Sequence, residues 1–300
     1  MLVDARTHPG GTFVVAQRLH YTYTASVRRL RHRLMVVPRA THGDQYCDQW
    51  ELKVSGATVQ RRESLDRFGN RTIEVGAPVV RSEIEFIMWA VVGRRNPNGP
   101  VAPVPMGPGE DAGMARPTAL TLASPALARA SVELADVAVD RLDFAERACA
   151  WAHRALTYKY GVTSVSTSAH EALAGGFGVC QDYAHIMLAL CRAVGVPARY
   201  VSGHLLGEGG SHAWVEVIVD PGSAPGIEGC VAVAFDPTHD RRPGPAYITV
   251  AVGRDYADVA PTSGYFDGHA QGKLSVRKNV APIGSPSGDL TPVLAALASR

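Results

Sequence analysis

The sequence predicts an α+β protein in which an N-terminal β-sandwich precedes a domain of helices and strands. Between residues 12 and 92, short runs rich in β-branched and aromatic residues alternate with turn signals, a pattern typical of a sandwich. Residues 93–125 are instead rich in proline and glycine, as in a linker. After residue 126, helical patterns come first and strand-like runs follow, which is the segregation expected of the α+β class.

The predicted N-terminal domain, residues 1–92, contains no cluster of catalytic residue types. We therefore expect it to have a structural or substrate-shaping role. Its arginine-rich run 28–33 alternates with apolar residues, which predicts a strand with a solvated face. The other predicted strands cover 12–15, 19–23, 34–38, 50–54, 72–75 and 82–92.

Residues 126–281 form the predicted catalytic domain, and 282–300 form a tail that we expect to fray. Ser168 and Glu171 have the spacing of a capping box, which marks one helix start, and Gly195 marks a helix end. The predicted elements are a helix over 142–158 with Asp143 and Glu146 as its capping box, a short helix over 169–174, a buried helix over 181–194, and strands over 198–204, 212–219 and 230–235.

Composition excludes several classes of protein. The 300 residues carry a formal net charge of +2, which is too mild to predict nucleic-acid binding. Five cysteines, scattered without regular spacing, predict reduced thiols rather than a disulfide framework. The first residues lack the apolar core of a signal peptide, and no run reaches the roughly 20 apolar residues of a membrane helix. We expect a cytoplasmic protein that binds neither nucleic acid nor membrane, and the oligomeric state stays open.

The chemistry of the chain is concentrated at Cys180, His212 and Asp236. Cys180 follows Gly178 and opens an apolar helix, where unpaired N–H groups and the positive end of the helix dipole favour a thiolate. His212 opens one predicted strand and Asp236 ends the next, so an antiparallel pair of strands would bring them together. A thiol, an imidazole and a carboxylate predict a nucleophile, its general base and the group that orients the base.

Two further residues are candidates for the site. Gln181 and His239 lie beside Cys180 and Asp236 in the sequence, and either could contribute to an oxyanion hole or a cleft wall. No pair of residues has Cys-x2-Cys or His-x3-His spacing, and no glycine-rich phosphate loop precedes a helix. We therefore predict no metal and no other cofactor.

Four separated motifs resemble the core of the bacterial transglutaminase-like superfamily: GVCQDYA at 178–184, GVPARYVSG at 195–203, SHAWVEV at 211–217 and FDPT at 235–238. The resemblance extends through GRDYADVAP at 253–261, and the front of the chain, with DRFGN at 66–70, is similar to the N-terminal β-domain that precedes this core in bacterial members. It implies a papain-like α+β fold, with Cys180 as the nucleophile, His212 as the general base and acid, and Asp236 as its partner. One departure is Cys230, where the family usually has a tryptophan after the glycine.

This resemblance predicts cysteine-dependent acyl transfer on the amide bonds of a peptide or protein, through a thioester on Cys180. Water as the acceptor would give a hydrolase of the protease or amidase type. We favour this outcome because a bacterial cytoplasmic enzyme has few uses for indiscriminate crosslinking. An amine as the acceptor would give a protein-glutamine gamma-glutamyltransferase. A non-catalytic peptide-binding module on the same fold is the third alternative.

Overall fold

The structure is a computed structural model that describes residues 11–97, 101–107, 109, 113–220 and 229–283. Over these residues a β-sandwich is combined with a sheet covered by helices, so the predicted α+β class is confirmed. No helix in this part of the chain is long and apolar enough to cross a lipid bilayer.

The front of the chain forms strands, as predicted, and two more strands follow at the end of the described chain. The front strands are β1 (Thr12–Tyr23), β2 (Val27–Leu34), β3 (Thr41–His42), β4 (Gln45–Ser55), β5 (Gln60–Leu65), β6 (Arg71–Val80) and β7 (Glu83–Arg94). Between them and the end lie β8 (Val104–Pro105), α1 (Pro125–Val137), α2 (Arg141–Ala155), β9 (Thr157–Tyr158), α3 (Ala169–Gly175), β10 (Phe177–Gly178), α4 (Cys180–Ala193), β11 (Ala198–Leu205), β12 (His212–Val219), β13 (Val231–Phe235), β14 (Tyr247–Gly253) and α5 (Tyr256–Val259). The last two strands are β15 (Thr262–Asp267) and β16 (Gly272–Ile283).

The sandwich consists of two antiparallel sheets with the strand orders β16-β1-β7-β4-β3 and β15-β2-β6-β5. Alternation along the strands creates its core, because successive side chains point to opposite faces. Leu30 and Ile73 from the second sheet belong to the same buried cluster as Leu19 and Phe86 from the first. The arginines of β2 alternate with buried residues and lie on the outer face, as the sequence predicts.

Sheet pairing corrects two expectations about the sandwich. The strand predicted over 34–38 is wrong, since β2 ends at Leu34 and the buried residues that follow are not in a strand. Moreover, β15 pairs with β2 and β16 pairs with β1, so residues 262–283 complete the sandwich although the sequence analysis assigned 262–281 to the catalytic domain and 282–283 to the tail. Both pairings join segments more than 200 residues apart, which local pattern cannot reveal. Residues 284–300 lie outside the described part of the chain.

The second region is built on a sheet with the strand order β14-β11-β12-β13-β8. Helix α4 packs on this sheet, and α1, α2 and α3 pack on α4, so α4 is buried on nearly all sides. All residues of β11, β12, β13 and β14 are buried as well, because helices cover one face of the sheet and the other face carries a second cluster around Trp214. This double covering explains the continuous apolar runs in the sequence.

Most predicted elements of this region are present, with shifted ends. The capping box of α3 at Ser168 and Glu171 is confirmed. Helix α2 covers Arg141–Ala155 instead of the predicted 142–158, and its N-cap is Asp140 rather than Asp143, because Asp140 accepts a hydrogen bond from the Asp143 N–H at 2.8 Å. Helix α1 and strand β14 were not predicted. The predicted linker also carries structure, since β8 pairs with β13 at the edge of this sheet and the Arg192 guanidinium donates to the Met114 carbonyl at 3.0 Å.

Buried side-chain amides join the sandwich to the sheet β14-β11-β12-β13-β8. The Gln45 amide donates to the Thr249 carbonyl and accepts from its N–H, both at 2.8 Å. Asn70 makes the same pair of hydrogen bonds with Val252, at 2.7 and 2.9 Å. Each amide thus satisfies the backbone of β14, the edge strand of this second sheet, which would otherwise leave buried polar groups unpaired.

Candidate active site

Cys180 is the first residue of α4, and packing at the helix start fixes its position. A Cβ at Gly178 would lie 2.7 Å from Asp182 Cβ and 2.9 Å from Leu156 Cδ1, so only glycine lets the chain pass here. Asp182 then caps the helix, since its Oδ2 accepts from the Val179 N–H at 2.7 Å. The sulfur therefore sits at the positive end of a rigid, buried helix, as the sequence predicts.

His212 is the first residue of β12, and its imidazole is held on two sides. Its Nε2 lies 2.8 Å from Asp236 Oδ2, and a carboxylate only accepts, so Nε2 carries the proton of this hydrogen bond. The Trp214 ring stacks against the imidazole with centroids 6.1 Å apart. Because Nε2 is engaged with Asp236, Nδ1 is the nitrogen that remains for the Cys180 side chain, which lies in the wall of the same cleft. The structure thus brings the three predicted residues together.

Asp236 lies in the turn after β13 and is fully buried. Its Oδ2 accepts from His212, from His239 Nδ1 at 2.7 Å and from the Tyr247 hydroxyl at 2.5 Å. Its Oδ1 accepts from the Thr238 N–H at 2.9 Å. A buried carboxylate with this many donors is fully satisfied and cannot rotate without breaking several hydrogen bonds.

The hydrogen bonds of the site outweigh the effect of burial on its charges. Burial alone would lower the pKa of His212, but hydrogen bonds with Asp236 and Cys180 raise it to about 10. Burial would raise the pKa of Asp236, but hydrogen bonds from His212 and His239 hold that pKa well below its usual range. At neutral pH the site therefore contains an imidazolium paired with a carboxylate.

A second carboxylate, Glu208, faces the same imidazole from the glycine-rich turn between β11 and β12. Its Oε2 lies 3.3 Å from His212 Nδ1, and its Oε1 lies 3.2 Å from His239 Nε2. Two histidines and two carboxylates thus alternate in a closed ring, because Asp236 bridges the same pair of imidazoles. Hydrogen bonds to Asp236 and Glu208 raise the pKa of His239 to about 9.

Cys180, Glu208, His212 and His239 line a cleft of about 690 Å³. Gln181 is part of its wall, but its Nε2 donates to the Ser164 carbonyl at 3.2 Å, so the amide is engaged on the loop preceding α3. His239 lines the cleft as a partner of Asp236. A role for either residue in an oxyanion hole stays a prediction. Other cleft residues include Tyr158, Tyr160, Tyr200, Ser202, Tyr256 and Pro261.

Sequence reasoning missed Glu208 and Tyr247. Glu208 stands four residues before His212 in a turn of glycines, and an acid so close to a candidate base was a usable signal. No such signal exists for Tyr247, whose hydroxyl reaches Asp236 only because β14 lies in the same sheet as β12 and β13.

The remaining cysteines are poor nucleophiles, with one exception. Cys47, Cys149 and Cys191 are buried, and burial raises the pKa of Cys47 to about 11 and that of Cys191 to about 12. Cys230 is only partly buried, and its thiol lies 3.7 Å from Asp220 Oδ1. Any labelling of Cys180 therefore has to be separated from labelling of Cys230.

His212, Asp236 and His239 each present one atom that could ligate a metal, all within 4.8 Å of one another. A metal would fit poorly here, because Asp236 Oδ2 already accepts from both imidazoles and from the Tyr247 hydroxyl. The buried hydroxyl would lose its acceptor if an ion took that oxygen. The arrangement suits a hydrogen-bonded catalytic site better than a metal centre.

Comparison with known families agrees with the fold. Residues 128–224 match the transglutaminase-like superfamily model, and residues 13–92 match that of the bacterial transglutaminase-like N-terminal region. The predicted resemblance is thereby confirmed: in this chain a transglutaminase-like core follows a bacterial transglutaminase-like N-terminal region.

The sequence similarity to individual relatives covers less than half of this chain. The uncharacterized protein ML0607 of Mycobacterium leprae is 40% identical over 139 residues, or 43% of this chain and 46% of that protein. The uncharacterized protein Rv2569c of Mycobacterium tuberculosis is 36% identical over 141 residues, or 42% of this chain and 43% of that protein. Each match thus spans less than half of the curated relative.

A solved structure shares the fold over almost the whole length. It is that of a "putative cysteine protease" from Cytophaga hutchinsonii, with a TM-score of 0.71, 22% sequence identity and coverage of 90% of both chains. At this identity the likeness establishes the papain-like α+β fold, including the sandwich in front of it.

Proposed function

We propose that the protein is a cysteine-dependent enzyme that hydrolyses amide bonds of a peptide or protein through a thioester on Cys180. The observation that carries this proposal is that Cys180 and His212 line the same cleft while His212 Nε2 lies 2.8 Å from Asp236 Oδ2. A merely structural cysteine would need neither a charged imidazole nor an open cleft beside it.

The cycle begins with attack of the Cys180 thiolate on the amide carbonyl. The backbone N–H of Cys180 is at the first position of α4 and has no partner within the helix, so it can donate to the developing oxyanion. The His212 imidazolium then gives its proton to the leaving amine, and the carbon–nitrogen bond breaks to leave a thioester. His212 next takes a proton from water, whose oxygen attacks the thioester and releases the acid.

Access of solvent favours water as the acceptor. The side chains of Glu208 and His239, on the imidazole side of the cleft, are 37% and 33% exposed. Water can therefore reach the position from which His212 would activate it. Glu208 also favours the second candidate, transfer to an amine, because its carboxylate beside His212 Nδ1 would attract a protonated amine.

Alkylation of Cys180 tests whether the site is chemically active. In a Cys230→Ser background, iodoacetamide at neutral pH should label Cys180 stoichiometrically, and His212→Ala should slow the reaction about tenfold or more. Mass spectrometry of peptides identifies the labelled residue. Labelling of Cys180 no faster than that of the three buried cysteines would instead favour a non-catalytic peptide-binding module.

A peptide library identifies the reaction. The protein is incubated with the library in the presence and absence of a primary amine, with Cys180→Ala protein as the control, and the masses are read. Conversion of an amide to the free acid indicates hydrolysis, whereas addition of the amine indicates transfer. If the parent protein gives neither product and behaves like the Cys180→Ala variant, the proposed activity is wrong.

A further inference from the structure

A second groove, which the proposed reaction does not use, lies on the outer face of the sheet formed by β15, β2, β6 and β5. We call it the arginine groove and define it by Arg31, Arg33, Gln60, Arg62, Glu74 and Tyr265. Its volume is about 840 Å³, larger than that of the catalytic cleft. A sheet face with a groove of this size and several cations suits an interaction surface better than a plain solvated face.

Strand register determines which groups face the groove. Arg31 stands opposite Gly76 on β6, which in turn stands opposite Gln60 on β5, and Tyr265 on β15 flanks Arg31 on the other side. A Cβ at Gly76 would lie only 2.6 Å from Arg31 Nη1, so the guanidinium lies across this glycine. Because Gly76 has no side chain, the groove is deeper at this position and the planar guanidinium of Arg31 packs directly against the β6 backbone.

The second row contains Arg33, Glu74 and Arg62, again in direct register across three strands. Arg33 lies 3.6 Å from Asp66 and is partly neutralised by it. Arg31 and Arg62 form no ion pair with any residue of the described chain. The groove therefore has unpaired guanidinium groups whose forked donors match carboxylates.

The arginine groove begins close to the catalytic cleft. Pro261 lines the cleft, and Ser263, two residues further on, lines the groove. Two residues of chain span at most about 7 Å, so a bound peptide of a few residues could occupy both sites. Glu74 between the two arginines of its row would repel a uniformly charged polyphosphate, whereas a peptide can place its acids on either side of it.

We propose that the arginine groove binds an acidic segment of the peptide or protein substrate, beside the scissile amide. That the bound peptide is a substrate rests on the proposed function, but its binding does not require catalysis. Charge complementarity carries the inference: two unpaired arginines and a partly paired third face one groove that opens next to the cleft.

Binding is measured with the Cys180→Ala full-length chain, which cannot form a thioester. The probe is a fluorescein-labelled decapeptide of alternating glutamate and serine, with a glutamine-for-glutamate peptide as the neutral control, and the readout is anisotropy. We expect the acidic peptide to bind, the neutral peptide to bind about tenfold more weakly or worse, and added salt to weaken binding. The double variant Arg31→Glu, Arg62→Glu should lose about tenfold or more in affinity.

The matched control is the double variant Arg129→Glu, Arg154→Glu, which reverses two exposed arginines on α1 and α2 and alters net charge equally. It should bind the acidic peptide nearly as well as the parent. Circular dichroism on both variants verifies folding. Equal affinity for the acidic and neutral peptides, or equal losses in the two double variants, would overturn the inference, and so would tighter binding of a single-stranded oligonucleotide of the same charge.

The active protein separates this inference from the proposed reaction. With a substrate found in the library, addition of an acidic flank should lower KM with little effect on kcat, and reversal of the groove arginines should remove that gain. Binding of the acidic peptide without any turnover would refute the proposed reaction but support peptide binding in the arginine groove. Turnover that is indifferent to acidic flanks, with no peptide binding, would refute the groove alone.

Discussion

Replacing Asp236 with asparagine removes one negative charge from the site while nearly conserving volume. The carboxylate Oδ2 accepts three hydrogen bonds in the native protein, from His212, His239 and Tyr247. A hydrogen bond to a charged group contributes about 1.5–3 kcal/mol against about 1 kcal/mol for a neutral one. Three weakened hydrogen bonds therefore predict a loss of about 3 kcal/mol in the free energy of unfolding, the scale expected for a broken buried ion pair.

The same substitution should abolish most of the reactivity of Cys180. Without the carboxylate, burial dominates and the pKa of His212 falls from about 10, so the imidazole no longer stays protonated beside the sulfur. Loss of the orienting carboxylate in a triad lowers kcat by about 10⁴-fold. The assay is the rate of iodoacetamide labelling of Cys180 at neutral pH in the Cys230→Ser background, together with urea denaturation.

Asp240→Asn provides the matched control, because it removes an exposed carboxylate from the same turn and its positive φ of 48° suits asparagine. It should label and unfold like the parent protein. An Asp236→Asn variant that labels as fast as the parent and unfolds at the same urea concentration would refute the argument that this carboxylate maintains the charge of His212.

Three further outcomes follow from the same geometry. Because its pKa is raised to about 10, His212 contributes stability that is fully present below pH 6.5 and is lost as the pH rises through 10; urea midpoints should therefore fall over this range, and the fall should be smaller in a His212→Ala variant, in which His239 still contributes. Glu208→Gln should lower the pKa of His239 from about 9, which NMR titration would measure. The same substitution should slow Cys180 labelling less than Asp236→Asn does, because the hydrogen bond between His212 and Asp236 remains. Gly203→Ala would place a Cβ 2.1 Å from the Ile248 carbonyl oxygen and should cost about 1–3 kcal/mol or more in urea denaturation, whereas Gly175→Ala, with nothing within 4 Å of its Cβ, should cost far less.

The predicted catalytic residues were accessible from the sequence because each is tied to the end of a regular element. Cys180 begins a helix after glycines, and His212 begins a strand whose neighbour ends beside Asp236. The ends of elements are marked by local chemistry, by glycine, proline and polar residues, which is visible in a single sequence. Adjacent antiparallel strands then bring distant markers together without any knowledge of the rest of the fold.

The features that the sequence did not predict depend on contacts between segments far apart in the chain. Strand β16 carries exposed and half-buried residues throughout, so no alternation marks it, and only its pairing with β1 makes it a strand. Tyr247 is invisible for the same reason, since its partner Asp236 is identified only by the order of the sheet. The strand predicted at 34–38 is wrong beyond Leu34, because the apolar residues 35–37 are buried without being paired in a sheet.

The hydrogen bonds between the two regions indicate that the sandwich supports the proposed active site rather than being an appended domain. Strand β14 supplies Tyr247 to Asp236, and the same strand receives the paired hydrogen bonds of Gln45 and Asn70 from the sandwich. Without those amides the backbone of β14 would lose buried partners, each worth about 1–3 kcal/mol. A strand loosened in this way would release the hydroxyl that helps to hold the carboxylate behind His212. A substitution in the sandwich, far from the cleft, is therefore expected to lower the reactivity of Cys180 through β14. Asn70→Ala tests this, because it should slow the labelling of Cys180.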